Sequence, residues 1–356
     1  MTPSSDTPAD EGHPAVPREA VRRARRGSGA VTLHEVARLA GVAPITASRA
    51  VNTPAQVSDE VRRKVAEAIA QTGYVPNRLA GGLASSRSRL IAAVVPTISG
   101  TVFLETVQSL TESLAGQGYQ LMLGQSGYDV QREDALLDAI IGRRPDGIVL
   151  TGILHSAQGR RRLQAAGIPV VETWDLTPAP IDMLVGFSHV AVGREVAAYL
   201  LARGRRRLAI VSGDDERARR RLDAFVATAA EHGLADVQVV LVPAPTTLRS
   251  GRAALAELLG RDASIDAVSC SSDLLALGVM TEAQARGLAV PERLAVIGFG
   301  DLEFAADLHP ALTTVRINGA EIGRQAARFI VDRAEGRPVP ARIVDIGFSI
   351  VRRDSA

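Results

Sequence analysis

Apolar positions along the chain fall into two regimes. Between residues 31 and 75 they recur at helical intervals, whereas from Leu90 onward short apolar runs alternate with longer amphipathic stretches. In the first regime Thr32 precedes Glu35 by three residues, the spacing of a capping box, and opens a short helix. Val36, Leu39 and Ala40 are its predicted buried stripe, and Gly41 ends it. Pro44 stands where a first-turn proline is welcome and opens a second helix reaching about Val51. Ser58 caps a third, in which Val61, Val65 and Ile69 recur every four residues and Gly73 closes the run. Helix, four-residue turn with a glycine, helix is the helix-turn-helix arrangement, although any small three-helix bundle shows the same periodicity.

In the second regime the strand candidates are 90–95, 120–123, 147–150, 169–171, 208–211, 238–242, 267–270 and 295–297. Helical stretches such as 130–141, 190–203 and 274–285 separate them. That alternation predicts parallel sheets covered on both faces, and the length favours two doubly wound lobes over one. Ligands of such folds bind outside the carboxyl ends of the strands, here in the cleft between lobes. The fold class is thus an all-α helix-turn-helix domain followed by an α/β two-lobe domain. The expected boundaries are 1–30 for a disordered tail, 31–75 for the helix-turn-helix, 76–89 for a hinge and 90–350 for the lobes. Four prolines and an arginine cluster without apolar periodicity mark the tail.

Composition sharpens this picture. Hydrophobic residues make up 46% of the chain but aromatics only 3%, so the cores must be aliphatic. The single cysteine, Cys270, rules out an internal disulfide and fits a reducing compartment. No long apolar run suggests a membrane span, and the start has no secretory pattern, so a cytoplasmic location is expected. Net charge is only +2, yet residues 18–89 carry 13 basic against 5 acidic side chains, and the remainder from Leu90 is slightly acidic. A basic end on such a chain is either a solvated tail or a footprint for nucleic acid.

Enzyme chemistry finds little support. The chain lacks a phosphate-binding loop, a Gly-x-Ser-x-Gly elbow and a His-Glu-x-x-His pair, and its six histidines are scattered without metal-ligand spacing. Asp214 and Asp215 follow a strand, where paired carboxylates are usually just solvated. No catalytic residue, metal or cofactor is expected.

The run Thr32-Leu33-His34-Glu35-Val36-Ala37-Arg38-Leu39-Ala40-Gly41-Val42, followed by Thr46-Ala47-Ser48-Arg49-Ala50-Val51-Asn52, resembles the lactose-repressor family of regulators. Gly73-Tyr74-Val75-Pro76-Asn77-Arg78 resembles that family's hinge, and Arg221-Leu222-Asp223-Ala224-Phe225, Ser272-Asp273 and residues 310–315 resemble its sensor landmarks. The resemblance implies a homodimer on double-stranded operator DNA, with Pro44, Ile45 and Arg49 at base edges. Thr32, Thr46, Ser48 and Asn52 would position the helix through phosphates, although Thr32 also suits plain capping. Pro44 and Ile45 depart from the polar residues usual there, which favours contact with thymine methyls. Asn77 belongs to the same DNA-binding set. Gly81 and Gly82 disfavour an autonomous hinge helix; the resemblance implies folding on DNA with Leu83 wedged in the minor groove, the alternative being a flexible linker with Leu83 on a lobe. Lobes of this kind also serve sugar-binding transport proteins, a reading opposed by the N-terminal helices and the absent secretion signal.

For the effector pocket the resemblance implies Phe103, Thr151, Trp174, Asp175, Arg221 and Ser272. Arg221 is the gripping arginine, and most of the run Arg217, Arg219, Arg220, Arg221 is expected at the surface. Trp174 either stacks on the ligand or is a core aromatic. Where many members read Gly-Phe-Asp-Asp, this chain reads Gly298-Phe299-Gly300-Asp301, and loss of that carboxylate makes the pocket more hospitable to an anion. The segments 171–175, 186–189 and 345–348 look most like the gluconate-operon repressor subgroup, so the expected effector is a sugar acid such as gluconate or a relative, the alternative being a neutral sugar.

Overall fold

The computed structural model describes residues 31–75, 87–98, 101–153 and 156–356, with the chain dividing into two compact units at Ser85/Ser86. The expected tail, most of the hinge, and Asn77, Gly81, Gly82 and Leu83 lie outside the described residues.

The first unit holds α1 (Leu33–Leu39), α2 (Pro44–Asn52) and α3 (Asp59–Thr72). Glu35 accepts from the backbone N–H of Thr32 at 2.6 Å and from its hydroxyl at 3.1 Å, which closes the start of α1. The Ser58 hydroxyl accepts from Val61 N–H at the start of α3, and Gly73 ends that helix with φ +65°. The core is Val36, Ala37, Ala40, Ala47, Val65 and Ala68. Leu39 does not belong to it: it is 50% exposed and Ala37 takes its place. The face of α1 shared by α2 and α3 is centred on Val36, Ala37 and Ala40, and Leu39 lies roughly a third of a turn away from that centre.

The second unit contains two six-stranded sheets. The first runs β11-β5-β4-β3-β1-β2, built from β1 (Leu90–Val95), β2 (Gln120–Gln125), β3 (Gly147–Thr151), β4 (Val170–Thr173), β5 (Met183–Gly186) and β11 (Ile343–Asp345). The second runs β12-β10-β9-β8-β6-β7, built from β6 (Leu208–Gly213), β7 (Gln238–Val242), β8 (Ala267–Cys270), β9 (Ala295–Phe299), β10 (Thr313–Arg316) and β12 (Ser349–Val351). Every pairing is parallel except β10 with β12. Strands β5, β10, β11 and β12, of three or four residues each, are not among the strands expected from the apolar pattern.

Helices α4 (Leu104–Ala115), α5 (Val130–Ile141), α6 (Ala157–Ala166) and α11 (Gly319–Ala334) accompany the first sheet; α7 (His189–Ala202), α8 (Glu216–Glu231), α9 (Leu248–Arg261) and α10 (Asp273–Ala285) accompany the second. The chain therefore crosses between lobes three times, from β5 to α7, from β10 to α11 and from β11 to β12.

Helices α9 and α10 approach closely through glycine. A Cβ on Gly278 would lie 2.2 Å from the Leu248 carbonyl oxygen, whereas one on Gly260, also helical, meets nothing within 4 Å. Gly278→Ala is therefore expected to destabilise this unit by about 1–3 kcal/mol or more through overpacking. Gly260→Ala should instead stabilise it by up to about 1 kcal/mol. Urea midpoints at constant m-value measure both, and equal effects would overturn the packing argument.

Candidate functional site

On α2 the exposed residues Pro44, Ile45, Arg49 and Asn52, with half-buried Ser48, fall at i, i+1, i+4, i+5 and i+8, one face of the helix, opposite buried Ala47. Ile45 is 62% exposed, an apolar side chain that the three-helix core does not use. The Asn52 amide donates to Ser48 Oγ at 3.3 Å, and Arg49 makes no ion pair among the described residues. Thr46 lies off this face and is half-buried, and the Thr32 hydroxyl is engaged by Glu35.

Between the lobes lies a recess with about 770 Å³ free of protein atoms, counting its open mouth. Phe103, Trp174, Arg221 and Ser272 line it, together with Thr97, Tyr128, His189, Asp215, Arg217 and Phe299. At its centre one Arg221 Nη donates to His189 Nδ1 at 3.0 Å and the other to the Ser271 carbonyl at 3.3 Å, and the guanidinium lies 4.1 Å from the Phe299 ring centroid. Among the described residues no carboxylate lies within 4 Å of that guanidinium. Arg221 keeps part of its surface open to the cavity while its charge is shielded from bulk water; burial lowers its pKa to about 10, with Asp215 pulling it back up.

His189 is 3% exposed, and its Nε2 meets the Trp174 carbonyl at 3.0 Å. Burial, then the Arg221 charge, holds its pKa well below the usual value. Trp174 has φ +64°, a left-handed conformation rare for a bulky residue. Its ring packs edge-on against Phe103 and Phe187, and its indole N–H donates to Thr106 Oγ1 at 3.0 Å. Trp174 is thus both a cavity wall and a core aromatic, with its polar atom already engaged.

Two expected pocket residues sit elsewhere. Thr151 lines an adjoining recess, where its carbonyl accepts from Arg217 at 3.4 Å. Asp175, 2% exposed, does not line the cavity: it turns to Leu176 N–H at 2.8 Å and Arg220 at 3.3 Å, serving as a buried ion-pair partner. Gly300, whose missing carboxylate motivated the anion expectation, lines a neighbouring recess that shares Val102, Leu274 and Leu302 with the main one.

Arg217 is the main omission from sequence reasoning. It belongs to a run expected to be mostly surface charge, yet its guanidinium reaches 5.4 Å from the Phe103 ring centroid and lines the recess. The signal was available: residues 217 and 221 are four apart on α8, so a helix that turns one inward turns the other. Asp215 is likewise not simply solvated, since it caps α8 by accepting from Ala218 N–H at 3.1 Å and lines the same recess.

Residues 32–77 match the lacI family of bacterial regulatory proteins, and residues 197–356 match a periplasmic binding protein-like domain. The HTH-type transcriptional regulator GntR of Pseudomonas aeruginosa is 37% identical over 332 residues, 93% of this chain and 97% of the relative. The chain belongs to the lacI family. A crystal structure of a LacI-family regulator from Silicibacter pomeroyi matches with a TM-score of 0.87 at 32% identity, over 91% of this chain and 99% of that one. The lac repressor dimer bound to operator, at 24% identity, shares the fold with a TM-score of 0.77, over 92% of this chain and 99% of that one. This lacI-family chain is a DNA-binding transcriptional regulator, a family of regulators rather than enzymes. Among the described residues no helix is long and apolar enough to cross a membrane, and no cluster of three metal-ligating side chains occurs.

Beneath the recess, Ser272 caps α10 and Asp273 is fully buried, accepting from the Thr314 hydroxyl at 2.6 Å and from Leu302 N–H at 2.7 Å. Burial raises the Asp273 carboxyl to about 6, against the pull of those two donors. Because the folded-state value lies above the unfolded one, the folded state holds the extra proton between about pH 4 and 6. This group therefore favours folding fully at the acid end and loses that contribution, on the order of 3 kcal/mol, as pH climbs through 6. Asp273→Asn should flatten that part of the urea stability profile between pH 4 and 7; an unchanged slope would refute the assignment.

Proposed function

We propose that the effector of this regulator is a sugar acid of the gluconate type, and that its binding in the interlobe recess changes affinity for operator DNA. The observation that carries this is the shielded Arg221 guanidinium, which has no carboxylate in ion-pair range among the described residues and is joined in the recess by Arg217. A carboxylate takes two parallel hydrogen bonds from such a group, so a ligand acid supplies the missing counter-charge. Tyr128, Asp215, Thr246 and Ser272 offer further polar contacts suited to hydroxyls. The gluconate-like segments 171–175, 186–189 and 345–348 and the similarity to a relative named GntR support the same class.

For DNA, the exposed face of α2 is the proposed reading surface, with Arg49 paired to guanine and Ile45 against thymine methyls. Thr46, off that face, and Thr32, bonded to Glu35, are proposed phosphate contacts, together with Ser48, Asn52 and the hinge residue Asn77, while Leu83 would wedge into the minor groove. A homodimer follows from reading two half-sites.

Calorimetry with D-gluconate and its keto and phosphorylated relatives tests the effector class. Arg221→Met should weaken binding by about 3 kcal/mol, the cost of removing a charge-assisted bidentate contact. Tight binding of a neutral sugar with none of the acids would refute the reading. Arg49→Ala is expected to cost about 1–3 kcal/mol of operator discrimination in a gel-shift titration at fixed salt. A loss uniform across operator and random DNA would instead make Arg49 a phosphate contact.

A further inference from the structure

The hydrogen bonds around His189 fix its chemical state without reference to any ligand. A guanidinium has only donors, so the ring nitrogen it meets at 3.0 Å, Nδ1, must present a lone pair. A backbone carbonyl only accepts, so Nε2, at 3.0 Å from the Trp174 oxygen, must carry the proton. The imidazole is therefore neutral, in a single tautomer, and a second proton has nowhere to sit without opposing Arg221.

The placement of the ring matters as much as its state. His189 is the first residue of α7, immediately after the crossover from β5; Arg221 belongs to α8 in the second lobe, and Trp174 follows β4 in the first. The chain of bonds continues beyond Trp174, whose indole N–H donates to Thr106 Oγ1, which donates in turn to the Gly319 carbonyl at 3.0 Å. Gly319 opens α11, just after a second crossover. One buried hydrogen-bond chain thus joins the anion-facing arginine to both lobes and to two of the three connections between them.

We propose that His189 is a positioning residue for effector recognition: its Nδ1 lone pair holds the Arg221 guanidinium toward the recess, and its Nε2–H ties that arrangement to the first lobe through Trp174. This rests on the proposed acid-binding role of the recess. The charged and titratable groups near the imidazole are Arg217, Arg220 and Arg221 on α8, and those near Arg221 are Asp175, Asp215 and Tyr128. The nearest charges to the imidazole are cationic, so they oppose its protonation.

Two variants and one spectroscopic measurement test it. His189→Gln retains an acceptor for Arg221 and a donor for the Trp174 carbonyl, and should bind D-gluconate within about threefold of wild type. His189→Leu keeps bulk but neither polar atom, and should weaken binding on the order of tenfold or more, the loss of a hydrogen bond to a charged group. Equal affinity of the leucine variant and wild type, or equal losses in both variants at matched urea midpoints, would overturn the role. Nitrogen NMR of the effector-free protein, with the His189 signals assigned through the glutamine variant, should show Nε2 protonated and Nδ1 bare from pH 8 to 6. A proton on Nδ1, or an imidazolium at pH 6.5, would overturn the proposal independently of any ligand. If wild type binds none of the acids while the nitrogen signals are as expected, the effector class fails and the tie between His189 and Arg221 stands.

Discussion

A guanidinium shielded from water and lacking a carboxylate partner is costly, and the second unit is arranged around that cost at Arg221. Among the described residues its direct contacts are an imidazole lone pair, a carbonyl and the face of Phe299, while the Asp215 charge acts from farther off. Each satisfies a donor without neutralising the cation, which leaves its field directed at the recess. Replacing any of them with a carboxylate would quench that field. The neutral form of His189 is part of the same constraint, because an imidazolium at this distance would put two cations side by side without a counter-charge.

Local sequence makes the arrangement possible through two glycines on either side of His189. A Cβ on Gly186, at the end of β5, would fall 1.8 Å from the Asp175 carbonyl oxygen, so the turn carrying Trp174 and Asp175 can press against this strand only at a glycine. A Cβ on Gly193, in α7, would fall 2.2 Å from the Arg221 carbonyl oxygen, so α7 and α8 meet closely at the arginine itself. The left-handed Trp174 backbone completes the approach: φ +64° turns its carbonyl to His189 while its ring stays between Phe103 and Phe187. Strain of this sort, typically about 1–3 kcal/mol, persists only where the surroundings over-determine it.

The two regimes of the sequence were legible because their signals are local. Capping residues, a proline at Pro44, left-handed glycines at 41 and 73 and long apolar runs each act within a few residues. The second helix, the third helix and strands such as 90–95 and 238–242 appear in the structure with ends within a residue or two of those expected. Short strands completed by distant partners were not legible, nor was the exposure of Leu39, which depends on where two other helices press. In the recess, Arg221 came from a recognised motif, whereas Arg217 was hidden among neighbouring arginines although the helical period links the two. Asp175 shows the opposite error, since a motif position gives no information about which way a side chain turns once an adjacent helix offers Arg220.

Charge accounting in the recess bears on which ligands suit it. Among the described lining residues Arg217 and Arg221 contribute two positive charges, Asp215 one negative, and His189 none, because its bonds fix it as neutral. Asp215 also spends one oxygen on capping α8 and sits 3.9 Å from Arg217, so its charge is directed toward the helix start and that arginine. Gly300 reinforces the sign from the neighbouring recess: its φ of +130° disfavours any side chain, and a Cβ there would lie 3.6 Å from an oxygen of buried Asp273. A carboxylate at position 300 would add charge beside an acid that burial already pushes toward neutrality. The net surplus of one positive charge suits a monoanion whose carboxylate meets Arg221 and whose hydroxyls meet the polar rim. On the proposed reading, preference for an acid comes less from an added basic group than from the absence, among the described residues, of a carboxylate close enough to Arg221 to satisfy it.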